Sequence, residues 1–95
     1  MKTQLGEDGW WQFLKLSKQL KTKRQFSEFF GLFLTIEERN DIGDRCAIVV
    51  ALLKNAETQR DIAARLGTSI AKISRGSNCL KTINKGLRRF LESHL

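Results

Sequence analysis

At 95 residues and 41% apolar content, the chain can form one small domain, which alone would bury only about 60–65% of its unfolded surface. The longest apolar runs, residues 29–34 and 47–53, are too short to cross a bilayer, and the acidic N-terminus lacks a secretory signal core. The net charge of +7 is concentrated. Residues 58–90 carry eight of the seventeen Lys/Arg against Asp61 alone, the footprint of a surface that meets a polyanion.

Proline is absent and glycine occurs singly, so no flexible linker is expected. Few alternating β-branched runs appear, which leaves an all-helical chain read as a single domain over residues 1–95. The first helix is expected from Trp10 to about Lys23, with Trp10, Phe13, Leu14 and Leu20 on its apolar face. A second helix, residues 26–34, is nearly saturated with Phe and Leu. Whether residues 1–9 are ordered is left open.

Thr35-Ile36-Glu37-Glu38 has the form of a capping box, in which Thr and Glu satisfy each other's free amides. It starts the longest helix, to about Asn55, with one stripe of Ile42, Cys46, Val49, Val50 and Leu53 and another of Ile48 and Leu52. A helix apolar on two sides is a central one. The last helix starts near Asn84 or Lys85, with Leu87, Phe90 and Leu91 as its buried stripe.

Between these lies QRDIAARLGTSIAKISRGSNCLK, residues 59–81. Ile62, Ala63 and Leu66 recur at helical spacing before a Gly67 corner, and Ile70, Ile73 and Leu80 after it. Thr58 and Ser69 are suited to cap the two helices, and Gly67 to end the first in a left-handed conformation. Small Ala63 is where the two helices should pass closest. Two short helices about a glycine turn make a helix-turn-helix over residues 58–82. Combined with the basic run, it favours double-stranded DNA as partner.

Trp10, Trp11 and the phenylalanines up to Phe33 exceed what one small domain can cover. Helix-turn-helix readers also commonly engage two half-sites as symmetric dimers. Both arguments point to a homodimer with residues 10–57 as its core and residues 83–95 as a C-terminal helix.

LTIEERNDIGDR (34–45), TQRDIAARLG (58–67) and above all ISRGSNCLK (73–81) resemble the tryptophan repressor family. The resemblance implies an intertwined all-α homodimer of six helices per chain. It further implies a cytoplasmic repressor of tryptophan biosynthesis or uptake genes, binding a palindromic operator with L-tryptophan as corepressor rather than cofactor.

Arg45 and Arg75 match the arginines that sandwich the indole ring, a role suited to planar guanidinium groups, and Arg75 would also pair with the carboxylate. Read without the family, Arg45 could instead bridge to Asp41 or Asp44, and Arg75 could contact phosphate. Gly76 matches the residue whose carbonyl accepts the indole N–H; alternatively it is a helix kink. Leu32, Leu34 and Thr35 match the pocket lip supplied by the partner subunit, where backbone carbonyls meet the ligand's ammonium, although the leucines could simply be core. Cys79 departs from the family's usual serine. A thiol is the weaker acceptor for the ligand's ammonium, so a related indole compound is the alternative ligand.

On the DNA side the family pattern falls on Gln59 and Arg60, with Arg60 as the guanine reader. Thr68, Ser69 and Ile70 form the turn and recognition-helix start, where free amides would face phosphate. Ile70, Ala71, Lys72 and Ser74 would face the groove, and Lys81 would hold a phosphate. Ala63 and Lys72 depart from the family's most familiar pattern.

An enzyme is not expected: the only histidine, His94, is penultimate, and no metal-ligand spacing or phosphate-cradling glycine loop occurs. Cys46 and Cys79 read as reduced thiols. A helix-turn-helix protein that binds DNA without a ligand is the remaining alternative.

Overall fold

The computed structural model describes residues 5–95, and these form six helices without a strand. They are α1 (Leu5–Ser17), α2 (Lys23–Phe33), α3 (Ile36–Lys54), α4 (Gln59–Leu66), α5 (Ile70–Thr82) and α6 (Lys85–Ser93). Two compact units divide at Arg39/Asn40, just inside α3.

In the first unit, α1 begins earlier and ends earlier than the sequence suggests. Glu7 and Asp8 lie in its first turn, where they complement the helix dipole. At the other end the Ser17 hydroxyl donates to Leu14 O at 2.8 Å, and the amides of Gln19 and Leu20 turn back to Leu16 and Ser17. A capping box then starts α2. Gln25 N–H donates to the Thr22 hydroxyl at 3.1 Å, while the Gln25 side chain accepts from the Thr22 amide.

Phe13 joins the two helices. It stacks on Trp10 (5.7 Å, 13°), meets Phe33 edge-on (5.3 Å, 88°), and tilts against Phe29 and Phe30 at 5.2 and 5.9 Å. No residue of α1 or α2 is fully buried by the chain itself.

The expected box at the start of α3 is present. Glu38 N–H donates to the Thr35 hydroxyl at 3.1 Å, and Thr35 N–H donates to the Glu38 carboxylate at 2.9 Å. These bonds, the backbone one foremost, hold the Glu38 carboxyl below the usual carboxylate range. At the far end Asn55 takes the left-handed conformation (φ 51°), one that Asn tolerates better than most residues.

The second unit holds the buried core: Ile48 and Ala51 from α3, Ile62 and Ala63 from α4, and Ile73 from α5, with Leu52 and Leu66 packed against it. Ile62 and Ile73 are the most deeply enclosed, at 1% and 0% exposure. Burying each such side chain contributes about 1.5–3 kcal/mol.

Two expected stripes are only partly covered among the described residues. On α3 the Ile48–Leu52 side is packed, whereas Ile42 is 51% exposed and Cys46 is exposed. On α6 Leu87 and Phe90 stay 44% and 58% exposed. The helical spacing is correct in both cases, and Val49, Val50, Leu53 and Leu91 of the same stripes are half-buried.

Candidate functional site

The helix-turn-helix is built as its sequence suggests. The Thr58 hydroxyl accepts from Asp61 N–H at 3.1 Å, and the Ser69 hydroxyl from Lys72 N–H at 3.2 Å, so each satisfies an otherwise free amide of its helix. Gly67 closes α4 in the left-handed region (φ 66°, ψ 38°), where a Cβ would be strained. Small Ala63 is buried between α4 and its neighbours. The Ser74 hydroxyl donates to Gln59 Oε1 at 3.2 Å, bracing the start of α4 against α5.

At the amino end of α5, the amides of Ser69, Ile70 and Ala71 have no hydrogen-bond partner among the described residues. They form a donor cluster suited to an anion. Thr68 does not add its amide to that cluster, because its N–H is taken by Ala63 O at 3.0 Å in closing α4. Gln59, Arg60, Ile70, Ala71, Lys72 and Lys81 are exposed, whereas Thr68 and Ser74 are half-buried.

Charge is redistributed relative to a simple count. Arg65 is held by Glu57, with Nη2 2.7 Å from Oε1 and Nε 2.9 Å from Oε2. That hydrogen bonding depresses the Glu57 carboxyl and raises the Arg65 guanidinium. Arg88 lies 3.7 Å from Glu92. The cations of the basic run without an ion pair, among the described residues, are therefore Arg60, Lys72, Arg75, Lys81, Lys85 and Arg89.

Behind the exposed side of α5 lies a cavity of ≈ 530 Å³ between α3 and α5. Its walls bring together Arg45, Arg75, Gly76 and Cys79, residues separated by up to 34 positions in the chain, with Ile48 and Val49 as apolar lining. Gly76 lets the two helices approach: a Cβ there would stand 2.9 Å from Ile48 Cγ2. Arg45 forms no ion pair with either Asp41 or Asp44, although both aspartates border the same cavity.

Five border residues are not evident from the sequence as pocket residues: the apolar Ile48 and Val49, and the charged Asp41, Asp44 and Lys72. The sequence places Lys72 toward DNA, and helical spacing along α5 (Lys72, Arg75, Gly76, Cys79) gives it this second aspect as well. Asp44 and Lys72 also border a smaller hollow of ≈ 190 Å³ beside the Leu66-Gly67-Thr68 corner. Leu32, Leu34 and Thr35 lie at the end of α2 and the start of α3. Leu32 is 77% exposed, Leu34 is the half-buried C-cap of α2, and the Thr35 hydroxyl is engaged in capping.

The model of the family described as Trp repressor protein matches residues 8–95. The chain belongs to the Trp repressor family. Among its relatives, a Trp operon repressor homolog of Chlamydia caviae is 46% identical over 93 residues, covering 98% of this chain and 92% of that protein. Another, of Chlamydia trachomatis serovar D, is 41% identical over 94% of this chain and 95% of its own length. One from Haemophilus influenzae is 37% identical over 90% and 85%. Trp repressor family members are DNA-binding regulators and not enzymes. The six-helix, strand-free architecture agrees with the family fold.

Proposed function

We propose that the protein is a homodimeric transcriptional repressor of tryptophan biosynthesis or uptake genes. It binds a palindromic operator in double-stranded DNA and takes L-tryptophan as corepressor. The observation that carries this reading is the cavity behind α5. One helix bears both the exposed DNA-facing candidates Ile70, Ala71 and Lys72 and the pocket residues Arg75, Gly76 and Cys79.

In this mechanism the indole enters the cavity and stacks between the Arg45 and Arg75 guanidinium groups, each contact contributing about 0.5–2 kcal/mol. Arg75 also pairs with the carboxylate, and the Gly76 carbonyl accepts the indole N–H. The partner subunit's Leu32, Leu34 and Thr35 complete the lip. The occupied cavity fixes the angle of α5 against α3, so the two recognition helices of the dimer meet successive major grooves about 34 Å apart.

At the DNA, Arg60 reads guanine while Gln59, Ser74, Ile70, Ala71 and Lys72 approach the groove. The free amides at the start of α5, together with Thr68, Ser69 and Lys81, hold the backbone. Phosphate contacts supply affinity, and the Arg60 contact supplies discrimination. A regulator of this type acts in the cytoplasm, where its DNA is.

The test is operator binding across a tryptophan titration, using sites selected from a random DNA pool in the presence of tryptophan. Affinity is expected to rise at least about tenfold on saturation, a coupling of about 1.4 kcal/mol. Equal affinity with and without tryptophan would overturn the corepressor role and leave a ligand-independent helix-turn-helix regulator.

A further inference from the structure

The proposed DNA-facing set ends at Lys81, yet the unpaired positive charge of the chain does not. Lys85 and Arg89, on α6, are exposed and have no ion pair among the described residues. From Lys81 to Leu95 the one acidic side chain is Glu92, and Arg88 engages it at 3.7 Å. Lys85 and Arg89 are therefore left uncompensated, as Lys81 is. We propose that Lys85 and Arg89 continue the phosphate-binding track of Lys81, so that α6 is a second element holding the DNA backbone. This assignment rests on the reading of the helix-turn-helix as an operator-binding unit.

Two features of α6 direct these cations to the same partner as Lys81. The first is continuity. Lys81 stands in the last turn of α5, and only Thr82, Ile83 and Asn84 separate it from Lys85, the first residue of α6. The Asn84 cap fixes that starting point, its side-chain oxygen accepting from Leu87 N–H at 2.7 Å. Four residues of chain span at most about 14 Å, whereas duplex DNA presents one negative charge per about 1.7 Å of its axis. A Lys81 seated on one phosphate thus brings Lys85 within reach of others on the same duplex.

The second feature is the direction the cations face. At 3.6 residues per turn, Lys85 and Arg89 lie about 40° apart around α6, while Leu87, Phe90 and Leu91 centre on the opposite side. Leu91 is half-buried, so the apolar side is the one that turns inward. Whatever covers that side leaves Lys85 and Arg89 toward solvent. An anionic lipid surface is the other polyanion a basic amphipathic helix can meet. It suits α6 less, since nine residues with Leu91 already half-buried offer little apolar area to insert.

The experiment measures binding of the full chain, across a series of salt concentrations, to a site selected from a random DNA pool in the presence of tryptophan. It compares the unaltered protein with the neutral pair Lys85→Gln/Arg89→Gln and the charge-keeping pair Lys85→Arg/Arg89→Lys. Each phosphate contact contributes about 0.9 to the slope of log affinity against log salt, so the neutral pair is expected to flatten it by about 1.8. It should weaken selected and random DNA by the same factor, because phosphate contacts carry no sequence information. Phosphate-ethylation interference should lose positions that the unaltered protein shows. The charge-keeping pair should retain both slope and footprint. A smaller folded fraction lowers affinity equally at every salt concentration, so it cannot imitate a flattened slope. An unchanged slope in the neutral pair, or a flattened slope with an unchanged footprint, would overturn the assignment alone. So would a loss confined to vesicles containing anionic lipid, which would give α6 to a membrane surface. An unaltered protein that binds no DNA would overturn the operator reading and this assignment with it.

Discussion

Gly76 sits where the cavity between α3 and α5 meets the protein core. A Cβ at this position would lie 2.9 Å from Ile48 Cγ2 and 3.5 Å from Leu52 Cδ1. Ile48 is 5% exposed and branched at Cβ, so its methyl has little freedom to move aside. Two effects oppose each other in Gly76→Ala. Alanine gains about 1 kcal/mol of helix propensity, while overpacking of a filled core costs about 1–3 kcal/mol. The overlap is expected to win, giving a fall in Tm with a net loss of up to about 2 kcal/mol. Tryptophan affinity should fall more steeply than stability, because α5 must move off the wall that lines the pocket. Thermal melts and calorimetry on one preparation check both parts. A rise in Tm with unchanged ligand affinity would show that helix propensity dominates. Neither Gly76's tight approach nor the place of Asp44 at the cavity was legible in the sequence. Both depend on the phase of α3 against α5, which local spacing does not specify. Arg45, Arg75, Gly76 and Cys79 could be nominated beforehand only through the family resemblance.

The elements themselves were far more legible, because caps are short-range devices. Thr35 with Glu38, Thr58, Gly67, Ser69 and Asn84 all take the end positions that their chemistry suits. The break between α1 and α2 was harder to see. It contains neither proline nor glycine, and its Thr22–Gln25 box was absorbed into an over-long first helix. The ion pair of Glu57 with Arg65 was missed for a related reason. It links Glu57, the residue before the Thr58 cap of α4, to the last turn of that helix, eight positions on. Its consequence is an acid-dependent clamp on the helix-turn-helix. The Arg65 hydrogen bonds hold the folded Glu57 carboxyl below its unfolded value. The pair therefore stabilises the fold fully above the ordinary carboxylate range, and that contribution is lost as pH falls through the depressed folded value. Urea midpoints measured from about pH 6 to about pH 3 should decline less steeply in Glu57→Gln than in the unaltered protein. Glu38, depressed in the same direction by Thr35, would keep some acid sensitivity in that variant. Identical slopes would mean that the pair is too well solvated to matter, as many surface pairs are.

At the scale of the whole molecule, the question is what covers the apolar surface that one chain leaves bare. Among the described residues the buried apolar ones are Ile48, Ala51, Ile62, Ala63, Ile73 and Leu80, all in the second unit. Meanwhile Leu5, Trp10, Trp11, Leu32, Ile36 and Phe90 are each more than half exposed, at 92%, 56%, 64%, 77%, 78% and 58%. Scattered exposed apolar residues are ordinary, but aromatic residues on α1 and α6 together with the bare stripe of α3 leave several helices each with an unsatisfied face. The proposed homodimer covers such faces with their own counterparts, since a two-fold interface is self-complementary. Folding and association would then be one process, and stability would depend on protein concentration. Raising the concentration a hundredfold should lift Tm measurably, and sedimentation should show a species of twice the chain mass. Trp11→Glu, which puts a charge on an exposed apolar face, should shift the population toward monomer and lower Tm. A further consequence separates assembly from DNA contact. The variant leaves Arg60, Lys72 and Lys81 intact, so it should retain weak, salt-sensitive DNA binding through phosphate contacts. It should lose the added operator affinity that comes from engaging two half-sites at once. A Trp11→Glu protein that remained dimeric and concentration-independent in Tm would move the interface away from α1.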